Sequence, residues 1–327
     1  MLYDEVSQDR HKLMADIAEW YYNDGLSQQD IAKKVNLSRP SISRLLLEAR
    51  ELSIIDIRIN HPIPTANSLE IELVKNFPHL QSAKVLERRM GSEDDTMRQL
   101  GRLGADVLEN VLEDNMILGL SWGTTIHSVV EELRPKRLSN VKVVQLVGGV
   151  GAPYSSIDGP EQVRRAGEIF GAQHYYLNAP LIVDTPEIAA ALREDHSIKE
   201  VLELAKQSNI ALLGIGPIIP EISTQFHSGY FSFQDIRDLE KLGAIGAICV
   251  CFTDIQGNRI YVPWCEDCAI SIPWEDLLKI PIKIGIAKGK RKAPSILGAI
   301  RSGGIDILVT DDETAEEVLN LNKNPSA

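Results

Sequence analysis

The sequence predicts two units of different fold class: an N-terminal all-α helix-turn-helix domain and a C-terminal α/β domain built on a parallel sheet. Residues 11–60 carry apolar side chains mostly at helical spacing, whereas later short β-rich runs alternate with longer amphipathic stretches. Between them lies His61–Ala66, whose two prolines cannot lie inside a helix or a central strand. We therefore predict a helical domain over 1–60, a linker over 61–66 and an α/β domain over 67–327.

The helix-turn-helix prediction depends on apolar spacing. Positions that must pack between two steeply crossing helices are all apolar; they are Ile31, Val35, Leu37, Ile42 and Leu45. Asn36 occupies the turn, where asparagine tolerates a left-handed backbone. Ser38 is a good N-cap for the second helix, and Pro40 suits its first turn. The helical pattern ends in an alternating run, Ile54–Ile59, and we predict a winged-type domain.

The second helix of this motif carries the residues expected to contact DNA, because a recognition helix meets base edges and phosphates through its N-terminal half. The window Ser27–Arg50 holds five basic and two acidic residues, a balance of +3 in a chain of formal charge −12. The candidate DNA contacts are Ser27, Gln28, Ser38, Arg39, Pro40, Ser41, Ser43 and Arg44. A plain helical hairpin with solvated lysines is the alternative.

Composition excludes several classes of protein. With 44% hydrophobic and 24% charged residues, the sequence is typical of a globular protein and not of a disordered chain. Its acidic balance excludes a general polyanion binder. The acidic start does not fit a signal peptide, and the longest apolar run, Gly243–Phe252, is about half of a membrane-spanning helix. We expect a cytoplasmic protein with no membrane partner.

Predicted strands and helices alternate in the second domain, which indicates a Rossmann-like parallel sheet with helices on both faces. The predicted strands are Met116–Ser121, Val141–Val147, Ile210–Ile215, Ala247–Phe252, Ile282–Ala287 and Asp306–Thr310. The predicted helices are Thr96–Leu112, Thr124–Leu133, Glu161–Phe170, Pro186–Ala205, Phe233–Leu242, Pro294–Arg301 and Glu313–Leu319. Since several strands run into glycine, we expect a ligand site at their carboxyl ends.

The segment Ser121–Thr125 joins a predicted strand to a predicted helix. Gly123 would let the backbone turn close to a ligand. Thr124 and Thr125 would place hydroxyl groups beside the free N–H groups of the helix start, an arrangement that favours an anion. From these residues alone, an ordinary glycine turn with a threonine cap is an equally good interpretation.

Two further loops are candidates for ligand binding. Gln145 ends a predicted strand, and the glycines that follow, Gly148 and Gly149 among them, indicate either close backbone approach or a flexible turn. The basic cluster Lys288–Lys292 follows another predicted strand and suits a phosphate. A solvated charge run is the alternative for this cluster, and the better interpretation for its two middle basic residues, Lys290 and Arg291.

The cysteines and histidines predict no metal site. Cys249 and Cys251 are predicted on a strand, and Cys265 and Cys268 in a loop. Zinc binding and a redox-sensing pair are the alternatives to plain reduced thiols, which we expect. The seven histidines show no paired spacing, so we predict no metal, no cofactor and no catalytic residue.

Several segments, taken in order, resemble the SorC family of bacterial regulators that respond to sugars. They are Tyr21–Ala32, Leu37–Leu46, Gly119–Thr125, Gln145–Gly149, Asn178–Pro180, Leu213–Gly216, Ser295–Ile300 and Leu308–Asp311. The resemblance implies a C-terminal domain similar to sugar-phosphate isomerases and deaminases that binds a phosphorylated sugar. It also implies that Lys292 contacts the phosphate.

The sequence departs from that family in three places. Val147 stands where some relatives have a lysine that forms a Schiff base, so no imine can form there. Ala247 stands where many relatives have an acidic residue that holds sugar hydroxyls. Lys288 replaces one glycine of a pair before the lysine cluster. The phosphate half of the predicted pocket is therefore kept, whereas its sugar half is altered.

We therefore expect a DNA-binding transcriptional regulator of a carbohydrate-metabolism operon, not an enzyme. Its expected partners are operator DNA, a phosphorylated sugar or sugar-alcohol effector, and further copies of the chain in a dimer or tetramer. The predicted effector contacts are Ser121, Gly123, Thr124, Thr125, Gln145, Gly148, Gly149 and Lys292. The alternatives are an isomerase- or deaminase-like enzyme with an accessory DNA-binding head, for which no general base is evident, and a DNA-binding scaffold with an inactive pocket.

Overall fold

The computed structural model describes residues 2–52, 54–55, 63–88, 92–151 and 155–323. The chain divides into two compact units, Met1–Pro62 and Ile63–Ala327. The end of the predicted linker belongs to the second unit, because Thr65 bridges to Leu86 and the Ala66 N–H donates to the Val85 carbonyl at 2.9 Å.

The first unit contains three helices among its described residues: α1 (Leu2–Tyr22), α2 (Gln28–Lys34) and α3 (Arg39–Glu51). Its core includes fully buried Ile31 and Ile42, as predicted. Leu37, predicted to belong to this core, is instead 40% exposed, and Leu46 of α3 is buried. The alternating run predicted at 54–59 falls mostly outside the described residues, so the winged type is not described.

Side-chain caps explain where α2 and α3 begin. The Ser27 hydroxyl accepts a hydrogen bond from the Asp30 N–H, and the Ser38 hydroxyl accepts one from the Ser41 N–H, both at 3.2 Å. Between the two helices Asn36 has a φ of 54°, the left-handed conformation expected at the turn. The local sequence therefore determines the bend between α2 and α3.

The second unit contains a seven-stranded sheet and a smaller four-stranded one. The strands in chain order are β1 (Ser82–Leu86), β2 (Ile117–Leu120), β3 (Lys142–Gln145), β4 (Gln173–Tyr175), β5 (Ile210–Gly214), β6 (Gly216–Pro217), β7 (Gly246–Ile248), β8 (Cys251–Thr253), β9 (Arg259–Ile260), β10 (Ile282–Ile286) and β11 (Ile307–Asp311). The large sheet has the order β1-β11-β10-β5-β2-β3-β4. All its pairings are parallel, which confirms the predicted α/β class.

Helices cover both faces of the large sheet. They are α4 (Asn67–Asn76), α5 (Glu93–Val111), α6 (Thr124–Glu131), α7 (Gly159–Phe170), α8 (Pro186–Glu194), α9 (His196–Lys206), α10 (Thr224–His227), α11 (Phe233–Lys241), α12 (Pro263–Glu266), α13 (Trp274–Leu277), α14 (Ala293–Arg301) and α15 (Asp312–Lys323). Alternate strand residues enter two cores: Leu212 packs with α5, α6 and α7, whereas Leu213 packs with α4, α9, α14 and α15.

The helices α5 and α6 approach each other closely. A Cβ atom at Gly101 of α5 would overlap the carbonyl oxygen of Ser128 in α6, and one at Gly104 would lie 2.7 Å from the Val129 side chain. Only glycine permits this spacing between the two helix backbones.

Two predicted elements are wrong. The run Ala247–Phe252 is not a strand of the parallel sheet; it contains parts of β7 and β8, which form an antiparallel hairpin in the small sheet. The predicted helix Pro186–Ala205 is two helices, because Asp195 ends α8 and its carboxylate caps α9. Strands β1 and β4 and helix α4 were not predicted.

Candidate functional site

A cleft lies at the carboxyl ends of neighbouring strands β2 and β5. Strands β3 and β4 lie on the β2 side, and β10, β11 and β1 lie on the β5 side, so the chain order reverses between β2 and β5. Such a switch point is the usual place for a ligand in an open parallel sheet. The cleft encloses about 540 Å³ of unoccupied space, including its open mouth. Its lining residues are Ser121, Trp122, Gly123, Thr124, Thr125, Val147, Gly214, Ile215, Gly216, Pro217, Ala247, Cys249, Val250 and Lys292.

The first turn of α6 forms one side of this cleft. Gly123 precedes the helix with a φ of 120°, a conformation that favours glycine, and no side chain caps the helix. The N–H groups of the first turn and the hydroxyls of Thr124 and Thr125 are therefore available to a ligand on the cleft side. A helix start of this kind attracts an anion through its dipole and its N–H donors.

Ser121 fixes the two strand ends relative to each other. Its buried hydroxyl accepts a hydrogen bond from the Gly214 N–H at 3.0 Å, which ties the loop after β2 to the end of β5. Its own hydroxyl hydrogen remains available for a second bond. Ser121 thus shapes the floor of the cleft and can also donate to a ligand.

Lys292 differs from the other members of the basic cluster that follows β10. Lys288 pairs with Glu93, Lys290 with Glu317 at 3.1 Å, and Arg291 with Glu221 at 2.9 Å.

Among the residues that the structure describes, no carboxylate lies within ion-pair distance of Lys292, although it lines the cleft. Burial, with a smaller contribution from the charge of Lys288, lowers the pKa of Lys292. An ammonium group in this position is destabilised until an anion approaches it.

Three predicted effector residues do not reach the cleft. The buried Gln145 amide donates to the Val147 carbonyl at 2.6 Å and accepts from the Leu177 N–H at 3.1 Å. A Cβ atom at Gly148 would overlap the Pro180 carbonyl oxygen, and one at Gly149 would lie 3.3 Å from the Asp158 carboxylate. The structure thus accounts for these residues by loop packing.

The cysteines are all buried and free. Cys249 and Val250 form the turn between β7 and β8, so Cys249 and Cys251 do not share a face of one strand as predicted. Burial raises the pKa of Cys251 to about 12. The described residues contain no group of three or more histidine, cysteine, aspartate or glutamate side chains placed to hold a metal ion.

The predicted DNA contacts lie at the start of α2 and along the first half of α3. Arg39 and Arg44 are exposed, and no ion pair involves either of them within the described part of the chain. Glu48 pairs with Arg10 at 2.7 Å, which neutralises the acidic residue of α3 that follows them. The other predicted contacts occupy the same region: Ser27 and Ser38 as caps, exposed Pro40, and half-buried Gln28, Ser41 and Ser43.

A helix-turn-helix unit joined to an α/β unit with an anion-favouring cleft is the arrangement of a ligand-responsive transcriptional regulator. Comparison with known proteins identifies the family. Residues 61–320 match the family model "Putative sugar-binding domain".

The chain is 31% identical to the deoxyribonucleoside regulator of Bacillus subtilis over 96% of this chain and 99% of that protein. The crystal structure of the full-length sorbitol operon regulator SorC of Klebsiella pneumoniae is also 31% identical. It covers 95% of this chain and 99% of its own, with a TM-score of 0.72. The chain therefore belongs to the SorC family of sugar-binding transcriptional regulators.

This family assignment decides between a regulator and an enzyme. The relatives are named as transcriptional regulators and not as enzymes, so the chain is a regulator and the isomerase or deaminase alternative is wrong. No helix in the described ranges has the length and apolar character needed to cross a membrane.

Proposed function

We propose that the chain is a DNA-binding regulator of a carbohydrate-metabolism operon and that a phosphorylated sugar or sugar alcohol, bound in the cleft, controls it. The phosphate would lie at the first turn of α6 and pair with Lys292. The observation that carries this proposal is the half-buried Lys292, which lines the cleft without a carboxylate partner among the described residues.

The two sides of the cleft suit a phosphate for complementary reasons. The first turn of α6 supplies N–H donors and the hydroxyls of Thr124 and Thr125, whereas Lys292 supplies a full positive charge. A dianionic phosphate would accept hydrogen bonds from the first turn of α6 and would compensate the charge of the partly desolvated Lys292. Neutral sugars would leave the Lys292 charge uncompensated, which disfavours them.

The names of two relatives support a carbohydrate-type effector. One is a sorbitol operon regulator and the other a deoxyribonucleoside regulator. Both match nearly the full length of this chain, so the same division between a DNA-reading unit and a sensing unit is expected here. In this proposal, residues 1–60 bind DNA, and residues 67–327 bind the effector and form the oligomer.

The DNA-reading proposal depends on the exposed arginines of α3. Arg39 and Arg44 lie on the half of α3 that a recognition helix inserts into the major groove. One segment with a charge balance of +3, in a chain that is acidic overall, attracts the DNA backbone only weakly. We therefore propose a homodimer or homotetramer that places two such helices on neighbouring half-sites.

The proposal is tested with the double variant Thr124→Val/Lys292→Ala in the full-length protein. A thermal-shift screen against glucose 6-phosphate, fructose 6-phosphate, sorbitol 6-phosphate and glycerol 3-phosphate first identifies stabilising esters. The variant should lose that stabilisation and the ligand-induced change in binding to its own promoter DNA. Its DNA affinity without ligand should remain.

Lys290→Ala is the matched control, because Lys290 belongs to the same basic cluster but pairs with Glu317 and does not line the cleft. It should respond to the esters as the unmodified protein does. If the double variant is stabilised by the same esters to the same extent, the cleft is not the effector site.

A further inference from the structure

The cleft has a polar side and an apolar side. Its side-chain hydroxyl and ammonium groups belong to Ser121, Thr124, Thr125 and Lys292. The rest of the lining includes six residues whose side chains carry no hydroxyl, amide or carboxylate group. These residues, here called the apolar wall, are Val147, Ile215, Pro217, Ala247, Cys249 and Val250.

The apolar wall is a buried part of the fold. Val147 is 1% exposed, Val250 5% and Cys249 8%. The nearest hydroxyl behind them, that of Ser271, already donates to the carbonyl groups of Cys249 at 3.3 Å and Ile272 at 3.2 Å. A ligand hydroxyl that meets the wall therefore finds no side-chain partner there.

The backbone of the wall adopts an unfavourable conformation. Cys249 and Val250 form a two-residue hairpin turn with φ values of 50° and 66°. Turns of this type prefer asparagine and glycine, and a β-branched residue at positive φ is rare. Core packing must hold the turn in place, since Cys249 and Val250 both belong to the buried core of the second unit.

From this asymmetry we infer that the cleft selects phosphate monoesters whose carbon body meets the wall with deoxygenated or alkyl groups. A hydroxyl held against the wall loses its bonds to water, and no side chain of the wall replaces them. A methylene or methyl group in the same place gains from leaving water. This inference rests on the proposed function, because it takes the phosphate to lie at α6 and Lys292.

The test compares two esters with the same three-carbon skeleton and the same charge. Titration calorimetry on the full-length protein measures n-propyl phosphate against glycerol 3-phosphate, with inorganic phosphate as reference. Propyl phosphate should bind about tenfold more tightly than glycerol 3-phosphate and more tightly than phosphate alone. Equal affinity, or preference for glycerol 3-phosphate, overturns the inference.

Substitutions in the apolar wall test whether its residues cause the preference for propyl phosphate. Cys249→Ser and Val250→Thr each place a hydroxyl in it at nearly constant volume, and each should reduce the preference for propyl phosphate about tenfold. Cys251→Ser is the matched control, because Cys251 lies outside the cleft and lines the second cavity. If Cys249→Ser and Val250→Thr fold but keep the same preference for propyl phosphate over glycerol 3-phosphate, the apolar wall does not cause that preference.

The same titrations separate this inference from the proposed function. If both esters bind and both lose affinity in Lys292→Ala, the proposed phosphate site is supported. The ratio of the two ester affinities in the unmodified protein then decides the inference alone. If neither ester nor phosphate binds, or if binding persists unchanged in Lys292→Ala, the proposed site is wrong and the inference fails with it.

Discussion

Charged residues in one short segment have different environments. Lys288, Lys290 and Arg291 each pair with a carboxylate, whereas Lys292, one position further, has a lowered pKa and no such partner among the described residues. The exposed Lys290 and Arg291 contribute little beyond surface solvation, since exposed ion pairs have small net energies. The charged form of Lys292 destabilises the free protein but stabilises a bound anion.

The lowered pKa of Lys292 predicts proton uptake on ligand binding. In the free protein burial holds its pKa below the ordinary lysine value, and a bound phosphate dianion raises it, so the complex binds more protons between those two values. Calorimetry near pH 9, in buffers of different ionisation enthalpy, should detect uptake of a fraction of a proton per site. Lys292→Arg should bind without uptake, because arginine stays charged. Equal uptake in both proteins would assign the proton to another group.

The position of the basic cluster after a predicted parallel strand places it at the ligand edge of the sheet. The resemblance to the SorC family points to Lys292 within that cluster, and Lys292 lines the cleft, whereas Gln145 does not. Gln145 ends a strand at the same edge, yet its amide is used by the nearby Val147 carbonyl and by the N–H of Leu177, 32 residues further along the chain. Strand position predicts the edge on which a residue lies, but long-range packing decides whether its side chain is free.

At the scale of elements, the hairpin of β7 and β8 shows where prediction from the hydrophobic pattern fails. The run Ala247–Phe252 is continuously apolar and contains no glycine, proline or asparagine, so it predicts one buried strand. The chain turns instead at Cys249 and Val250, against their backbone preferences. Tertiary packing overrides local propensity here, as the positive φ of a buried valine shows.

Regular helices and parallel strands were predictable because their signals are local. The spacing that predicts the helix-turn-helix is satisfied by capped helices and by Asn36 at the turn. Five of the six predicted strands correspond to strands of the large sheet. Asp195 shows the limit, since one residue both ends α8 and caps α9 within a continuous helical pattern.

The loop after β3 predicts a stability effect specific to one glycine. Gly148→Ala would force its Cβ against the Pro180 backbone, so the free energy of unfolding should fall by about 1–3 kcal/mol. Gly149→Ala is the matched comparison, because its Cβ would meet only the Asp158 carboxylate at 3.3 Å, and its effect should be smaller. Chemical denaturation measures both. Loss of ester binding in Gly148→Ala without loss of stability would instead place this loop in the effector site.

In the whole molecule, charge is distributed unevenly between the predicted DNA-binding segment and the rest of the chain. The chain carries −12 overall, yet Ser27–Arg50 carries +3. Under the proposed function, the acidic remainder would repel the DNA backbone and restrict productive contact to α2 and α3. The affinity would then depend on presenting this short segment more than once, as in the proposed oligomer.

The charge distribution predicts how DNA binding responds to salt. Arg39→Ala or Arg44→Ala should each weaken binding to promoter DNA about tenfold, the effect of losing one base or phosphate contact. If the contact is to phosphate, the slope of log affinity against log salt should become less negative by about one per DNA-bound copy. Fluorescence anisotropy measures both.

Arg237→Ala in the second unit serves as the control, since Arg237 lies outside the DNA-binding window and should leave both values unchanged. Unchanged affinity in both α3 variants would contradict the assignment of α3 as the recognition helix.

The close contact between α5 and α6 has a mechanical consequence. The helix that begins at the proposed phosphate site is locked by Gly101 and Gly104 against a helix more than twice its length. Since no side chain separates the two backbones there, we expect a shift of the α6 first turn on ligand binding to be transmitted directly to α5.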